Sequence, residues 1–462
     1  MNKHRFRRPV GTCFAGALAA AATAFLLGAV PAHAAPTAPT APTAPTASGG
    51  SLSVLTYNVA GLPQVLSSAS TDRQTSTTAI GQRLAPYDLV HVQEDFNYHA
   101  ALYAADSHPF RTATSGGAGI GSGLNTLAGS AYDGDDFERV RWNDCQLDSG
   151  DCLTPKGFTF MRVRLAEGVY LDAYNLHANA GTADGDEAAR ASNLAQLSAY
   201  IKAHSAGNAV LVMGDTNTRY TRAADTIAAF AADNHLTDAW VALERGGVAP
   251  KPGTDPLLCD ENAVTDTCEV VDKVLYRSSR LVSLTATSYA NRHADFLDPA
   301  GRMLSDHDPI AVGLSWSRNP AYLASEQFGG PHGDFYNDID RVTPGAKVSG
   351  VTLRAGSRVD QVGLTLADGT VLTHGGTRGT ASSLTLGAGE YLDSVTLCQG
   401  QYNGRTRIFS AKFTTNLGRS LAGGTTTSDC VTRTAPAGWQ IAGFTGRAGD
   451  NVDKLGLIYT QR

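Results

Sequence analysis

Between residues 51 and 317, polar side chains able to do chemistry recur at the ends of short apolar runs. This restricts the fold more than any other feature of the chain. Runs suited to strands are Leu52–Tyr57, Leu89–Gln93, Phe158–Leu165, Tyr170–Leu176, Ala209–Met213, Val270–Tyr276 and Ile310–Trp316. At or beside their ends stand Asn58, Glu94, His177, Asp215 with Asn217, Asp272, and Asp306 with His307. Between two of the runs, Asp184–His204 reads as a helix, with Ala188, Leu194, Leu197 and Ile201 close to one face. Strands alternating with helical or loop-rich segments indicate an α/β fold built on a sheet core. Layered α/β folds place their sites at strand ends. Six separate polar ends need a common reason, and one shared site supplies it.

At 462 residues the chain has room for two or three domains, and 42% hydrophobic residues suffice for packed cores. Residues 1–34 read as a secretory signal: Lys3, Arg5, Arg7 and Arg8, then an apolar Ala/Leu segment, then Ala32-His33-Ala34. Four Ala-Pro-Thr repeats follow within a linker over residues 35–50, where repeated proline favours extended chain that buries nothing. Loss of the signal removes four basic residues and no acid, so the formal charge moves from −6 to −10. Such a secreted protein is no polyanion binder by bulk charge, which leaves only a local basic groove for nucleic acid. Of the seven cysteines, Cys13 leaves with the signal. The remaining six form sequence-close pairs, Cys145/Cys152, Cys259/Cys268 and Cys398/Cys430, and an even count in an exported chain favours disulfides.

From Glu326 onward Gly, Thr, Ser and Val dominate and helical periodicity disappears, which reads as a separate all-β domain over residues 326–462. Gly356-Ser-Arg-Val-Asp360, Gly389-Glu-Tyr-Leu-Asp393 and Gly449-Asp-Asn-Val-Asp453 share the form Gly-x-x-apolar-Asp. Three copies of one turn-and-strand unit imply three-fold internal pseudo-symmetry.

The polar set of residues 51–317 is rich in oxygen donors and carries two histidines, which suits a hard cation such as Mg²⁺. A metal that polarises a phosphoryl oxygen, with an imidazole activating water, is the equipment of phosphoester hydrolysis. No Gly-rich phosphate loop or nucleophile elbow is present. The ordered blocks Leu55-Thr-Tyr-Asn58, Val92-Gln-Glu94, Asn175-Leu-His177, Gly214-Asp-Thr-Asn217, Val271-Asp-Lys-Val-Leu275 and Ser305-Asp-His307 resemble the endonuclease/exonuclease/phosphatase superfamily over residues 51–317. The resemblance implies a four-layer α/β sandwich and Mg²⁺-dependent hydrolysis. It implies that Glu94 binds the metal with Asn58 nearby, and that His307 is the general base, oriented by Asp306. His177 would stabilise phosphoryl oxygens or assist the leaving group. Asp215 and Asn217 would position water and phosphate, and Asp272 would support them.

The run Asp144-Cys145 to Cys152-Leu-Thr-Pro-Lys156-Gly157-Phe158 resembles secreted bacterial sphingomyelinase C enzymes, as does Asp95-Phe96 after the glutamate block. That resemblance implies a choline-phospholipid or related phosphodiester substrate. His177-Ala178-Asn179 departs from the family pattern. So does Ser288–Phe296, which offers only Tyr289 and Phe296 where those enzymes carry an aromatic membrane-inserting hairpin. A secreted nuclease shares the catalytic set and stays open as an alternative, with Arg139, Arg141 and Arg219 the nearby cations. A carbohydrate-binding adhesin with an inactive first domain is the other alternative.

Phe328-Gly-Gly-Pro-His-Gly333 and Gly443 to Gly456 resemble the jacalin-related lectins over residues 326–462. The resemblance implies a β-prism and a monosaccharide-binding loop of Gly449, Asp450, Asn451 and Asp453, with Gly330 or Gly333 nearby. Surface glycans are the expected partners.

Overall fold

The computed structural model describes residues 48–116, 120–147 and 151–462. The expected signal and most of the linker lie outside the described residues. Twelve strands precede residue 320: β1 (Gly49–Asn58), β2 (Leu89–Gln93), β3 (Phe110–Arg111), β4 (Asn125–Ala128), β5 (Glu138–Arg141), β6 (Gly157–Ala166), β7 (Val169–His177), β8 (Ala209–Asp215), β9 (Thr237–Asp238), β10 (Asp272–Arg277), β11 (Val282–Asn291) and β12 (Ile310–Arg318). They form two six-stranded sheets, ordered β11-β12-β1-β2-β4-β3 and β5-β6-β7-β8-β10-β9. Asp184–His204 is a helix with the bounds expected from the sequence. Its buried face is rotated from the expected one: Ala189, Leu194, Leu197 and Ile201 are covered, and Ala188 is exposed.

The two sheets share one core, in which Val54, Leu89 and Val312 of the first join Phe160, Leu171, Leu211 and Leu275 of the second. Within each sheet the central strands run parallel, β1 with β2 and β7 with β8. Asn58 and Gln93 are thus level at one end of the first sheet, and His177 and Asp215 are level at one end of the second. Antiparallel β10 begins at that end, so Asp272 faces Asp215 across the ladder. Gly214 permits this closeness, since a Cβ there would stand 2.1 Å from the Leu176 carbonyl oxygen.

β11 continues into a short 3₁₀ turn, His293–Phe296, with Tyr289 and Phe296 both buried, so no aromatic hairpin projects here. Cys145–Cys152, Cys259–Cys268 and Cys398–Cys430 are disulfides, as the nearest-neighbour reading expects. No helix among the described residues is long and apolar enough to cross a membrane.

The C-terminal strands make three further sheets of five, four and four strands around a second core. Each copy of the Gly-x-x-apolar-Asp unit enters a different sheet, through the strands Val359–Leu366, Leu392–Tyr402 and Val452–Gln461. The apolar residue of each copy, Val359, Leu392 and Val452, is fully buried. This is how a three-fold sequence repeat becomes three equivalent anchor points.

The second core meets the first mainly through charge. Asp136 is fully buried between Arg162, Arg447 and Lys454. Lys454 also reaches Asp133, at 2.7 Å. Glu326 accepts from Arg164 Nε, the Gly168 amide and the Tyr170 hydroxyl. Asn337 donates to Asn208 at 2.7 Å. Gly168 and Asn208 lie in turns at the strand ends opposite His177 and Asp215, so this contact leaves the polar ends uncovered. Removing a buried partner leaves its cations unpaired at a cost of about 3–5 kcal/mol. We expect Asp136→Ala to lower unfolding free energy in urea by about that amount, and Asp340→Ala, an exposed acid 3.8 Å from Arg280, to cost under about 1 kcal/mol.

Candidate active site

Asp215 is the hub of the polar ends. It is fully buried, yet one oxygen accepts from Asn58 Nδ2 at 3.2 Å and lies 3.2 Å from His177 Nε2 and 3.7 Å from His307 Nε2. The other accepts the Asn217 amide at 2.9 Å. Burial opposes its charge, but His307 and His177 beside it hold the carboxyl below the usual range. Asn217 adopts a left-handed conformation, φ 52°, which turns its side chain back to donate to the Ala178 carbonyl. Asn58 also donates to Glu94 at 3.1 Å, while its own oxygen accepts the Ala60 amide. Asn58 therefore bridges Glu94 and Asp215 as a donor. Glu94 itself has φ 56°, a sharp exit from β2 that aims its carboxylate at the same point. The Gly123 backbone is close enough that a Cβ there would stand 2.9 Å from Glu94 Cα.

His307 Nδ1 is 2.8 Å from Asp272 Oδ2. The acid that holds the imidazole is thus Asp272, and not its sequence neighbour Asp306, which accepts from Ser305 Oγ at 3.4 Å. Adjacent residues do not present their side chains to the same partner here, whereas the β8–β10 ladder sets Asp272 beside the cluster. Burial opposes the imidazolium, but Asp272 and Asp215 outweigh it and raise the His307 pKa well above 6.5. The remaining oxygen of Asp272 is buried without a partner.

Asp215, Asp272 and His307 offer ligand atoms within 4.8 Å of one another. With Glu94 across the Asn58 bridge, the donors are mostly carboxylate oxygens crowded beyond the positive charge available. That suits a hard divalent cation. A cleft of about 400 Å³ opens beside them, lined by Asp272, Asp306, His307 and Asp308 together with Leu258, Glu261, Glu269, Arg219 and Met303. It holds a second histidine–acid pair that the sequence reading passes over, His293 Nδ1 with Asp308 at 2.8 Å. The second aspartate of Ser305-Asp-His-Asp308 was its only trace in sequence. Two more unflagged residues, Gln93 and Asn175, join the sheets beneath the site at 2.8 Å.

The C-terminal loop also assembles. Gly330 donates its amide to the Asp453 carbonyl at 2.8 Å, and a Cβ on Gly333 would stand 2.7 Å from Asp453 Oδ2. Gly449 and Asp450 are exposed, while Asn451 is buried and donates to Asp360 of the first repeat at 3.0 Å. Asp453 is fully buried and ion-paired with Arg407.

Residues 59–248 match the family described as endonuclease/exonuclease/phosphatase family 2, and residues 325–458 match the jacalin-like lectin domain. The two matches cover successive, separate parts of the chain. A sphingomyelinase of Mycobacterium tuberculosis (strain ATCC 25618 / H37Rv) is 41% identical over 274 residues, 58% of this chain and 53% of the relative. A sphingomyelinase of Mycobacterium bovis matches to the same extent. The chain spans about half the length of these curated relatives. Among solved structures, Staphylococcus aureus beta toxin with bound magnesium ions is 14% identical, with a TM-score of 0.40, covering 57% of this chain and 99% of that one. Malaysian banana lectin is 26% identical, with a TM-score of 0.28, covering 30% of this chain and 99% of that one.

In metal-free protein the His307 imidazole should keep its proton above pH 6.5, and Asp272→Asn should bring its pKa down, read by NMR of the ring protons. Because the folded-state pKa lies above the unfolded one, the stability this pairing contributes is complete below pH 6.5. It is lost as pH rises through the folded value.

Proposed function

We propose that the protein is a secreted, metal-dependent phosphodiesterase that removes the head group of a choline phospholipid of the sphingomyelin type, and that the lectin domain targets it to glycans. In this reading the paired sheets with their helices form a four-layer α/β sandwich over residues 51–317, and the three C-terminal sheets form a β-prism over residues 326–462. A divalent cation such as Mg²⁺ would be held by Glu94, with Asn58 and Asp215 beside it, and would polarise a phosphoryl oxygen. His307 Nε2 takes the proton of the attacking water, and Asp272 on Nδ1 stabilises the imidazolium that results. The water oxygen bonds to phosphorus as the ester oxygen leaves with the lipid. His177, buried against Asp215, would hydrogen-bond a phosphoryl oxygen or protonate the leaving group. Asn217 fixes the Asp215 carboxylate.

The observation that carries a lipid substrate over nucleic acid is the chemistry of the rim. Val65, Leu66, Leu147, Leu153 and Leu258 are all more than half exposed. They stand on the loops after β1, before β6 and before β10, all at the polar end of the sheets. The cleft is lined by the acids Glu261, Asp272, Asp306 and Asp308 and by one arginine, Arg219, which donates to the Glu269 carbonyl. Of the other two cations expected nearby, Arg139 is turned inward to the Leu124 carbonyl and Asn125, and Arg141 is exposed at the end of β5. A phosphate backbone requires the opposite charge. Aliphatic side chains around an acidic cleft suit a zwitterionic lipid surface and a quaternary ammonium group.

The test pairs sphingomyelin liposomes with double-stranded DNA in Mg²⁺, with His307→Ala as the blank. Phosphocholine release by the wild type alone is expected, and DNA nicking without lipid hydrolysis would overturn the substrate class. On liposomes, Asp272→Asn should lower kcat about 10²-fold or more, and Asp306→Asn less than about tenfold. Leu66→Asp should reduce hydrolysis of liposomes and leave that of a micelle-free, short-chain phosphocholine ester unchanged. Glu94→Gln should raise the Mg²⁺ concentration needed for half-maximal rate while the melting curve stays that of the wild type.

A further inference from the structure

In the first repeat of the lectin domain, Asp360 accepts from an amide, Asn451 Nδ2. In the third repeat the equivalent Asp453 faces a guanidinium, Arg407, on the strand Arg405–Thr415 that leaves a neighbouring hairpin. The two aspartates are otherwise alike. Each has a glycine of positive φ against its second oxygen, Gly379 for Asp360 and Gly333 for Asp453. The Gly449–Asp453 loop has thus had its carboxylate neutralised where its counterpart has not.

More positive charge surrounds it. Arg405 stands exposed at the hairpin end, and His332, next to Gly333 in the chain, is near enough to Arg405 and Arg407 for their charge to disfavour its protonation. Neither makes an ion pair among the described residues. Arg358 donates to Asn451 at 3.0 Å and stacks over Tyr402 at 3.7 Å. Two buried polar atoms at the centre lack partners, Asp453 Oδ2 and Arg407 Nε. One is an acceptor and the other a donor, and buried groups of this kind are rarely left unpaired. Burial pushes the Asp453 carboxyl up to about 6, with Arg407, Arg447 and Arg405 pulling it back.

We propose that this loop binds an acidic saccharide, one bearing a carboxylate or sulfate, in preference to a neutral one. Arg405, Arg407 and His332 hold the anionic substituent. Asp453 Oδ2 and the exposed backbone at Gly449 and Asp450 take hydroxyls of the same ring. The proposal rests on the lectin reading and specifies its ligand class.

The test uses the full chain with disulfides intact on beads of hyaluronan, dextran sulfate, unsubstituted dextran and mannan. Retention on one or both acidic polymers and on neither neutral one is expected, and the polymer that retains it tells carboxylate from sulfate. For that polymer, Arg405→Ala should weaken binding about tenfold, and Lys412→Ala, on the exposed middle of its sheet, should leave it unchanged. Free glucuronate or glucose 6-sulfate should compete, and free glucose should not. Retention on mannan that Arg405→Ala leaves intact would overturn the acidic preference while the lectin reading stands. Competition by sugar-free polyphosphate but by no monosaccharide would overturn saccharide recognition at this loop. Failure to bind any of the four polymers would overturn the proposal and the lectin reading together.

Discussion

Everything at the polar end of the two sheets depends on a buried seam of amide side chains between them. Gln93 on β2 donates to Asn175 on β7, and Asn175 donates in turn to the carbonyls of Val92 and Asn125. Asn58 on β1 closes the seam by donating to Asp215 on β8. Apolar packing alone would let one sheet slide over the other at little cost, because dispersion contacts have no direction. Hydrogen bonds between fully buried amides do, and breaking one strands a polar group in a dry interior. The seam therefore sets the height at which Glu94, His177, Asp215 and Asp272 meet. The chemistry has the precision of the seam beneath it.

A second buried charge system performs the same task at the other boundary. Asp136 with Arg162, Arg447 and Lys454 joins the two-sheet domain to the C-terminal one. Phe335 extends it, with Arg447 over its ring at 3.9 Å and Phe160 edge-on at 5.7 Å. Ion pairs this well buried add little net stability, because the cost of desolvation offsets their attraction, yet leaving one partner unpaired is costly. They fix which face of the lectin domain remains free, and the Gly449–Asp453 loop lies beside them.

Much of this was legible in the sequence, for a physical reason. Strands buried on both faces read as continuous apolar runs, and a polar residue that ends such a run is conspicuous, as at Asn58, His177 and Asp215. β11 was not legible. Its Val282, Leu284 and Ala286 alternate with Ser and Thr, and an irregularity between Ala286 and Ser288 breaks the period. The partner of His307 was misread because proximity along the chain was taken for proximity in space, whereas the ladder that brings Asp272 to it is a tertiary fact. Gln93 and Asn175 stand inside the motif blocks but showed no role there, since an amide inside an apolar run looks like a fault until the facing sheet is present. The lectin repeat showed where its loops would lie and left unseen that a neighbouring hairpin delivers Arg407 to one of them.

The loops around the cleft carry their apolar side chains outward, against the tendency of such chains to fold back on the protein. Two of the three disulfides lie on those loops: Cys145–Cys152 encloses Leu147 and abuts Leu153, and Cys259–Cys268 begins beside Leu258. A covalent closure of seven or nine residues removes most of the freedom by which such a loop could collapse. The seam and the histidine–aspartate pairs contain no sulfur. The polar cluster and its exposed aliphatic rim are thus held by different means, hydrogen bonds in one and covalent closure in the other. Reduction would free the rim, and because Cys259 and Cys268 line the cleft beside Asp272 and His307, it would loosen the mouth of the cleft as well.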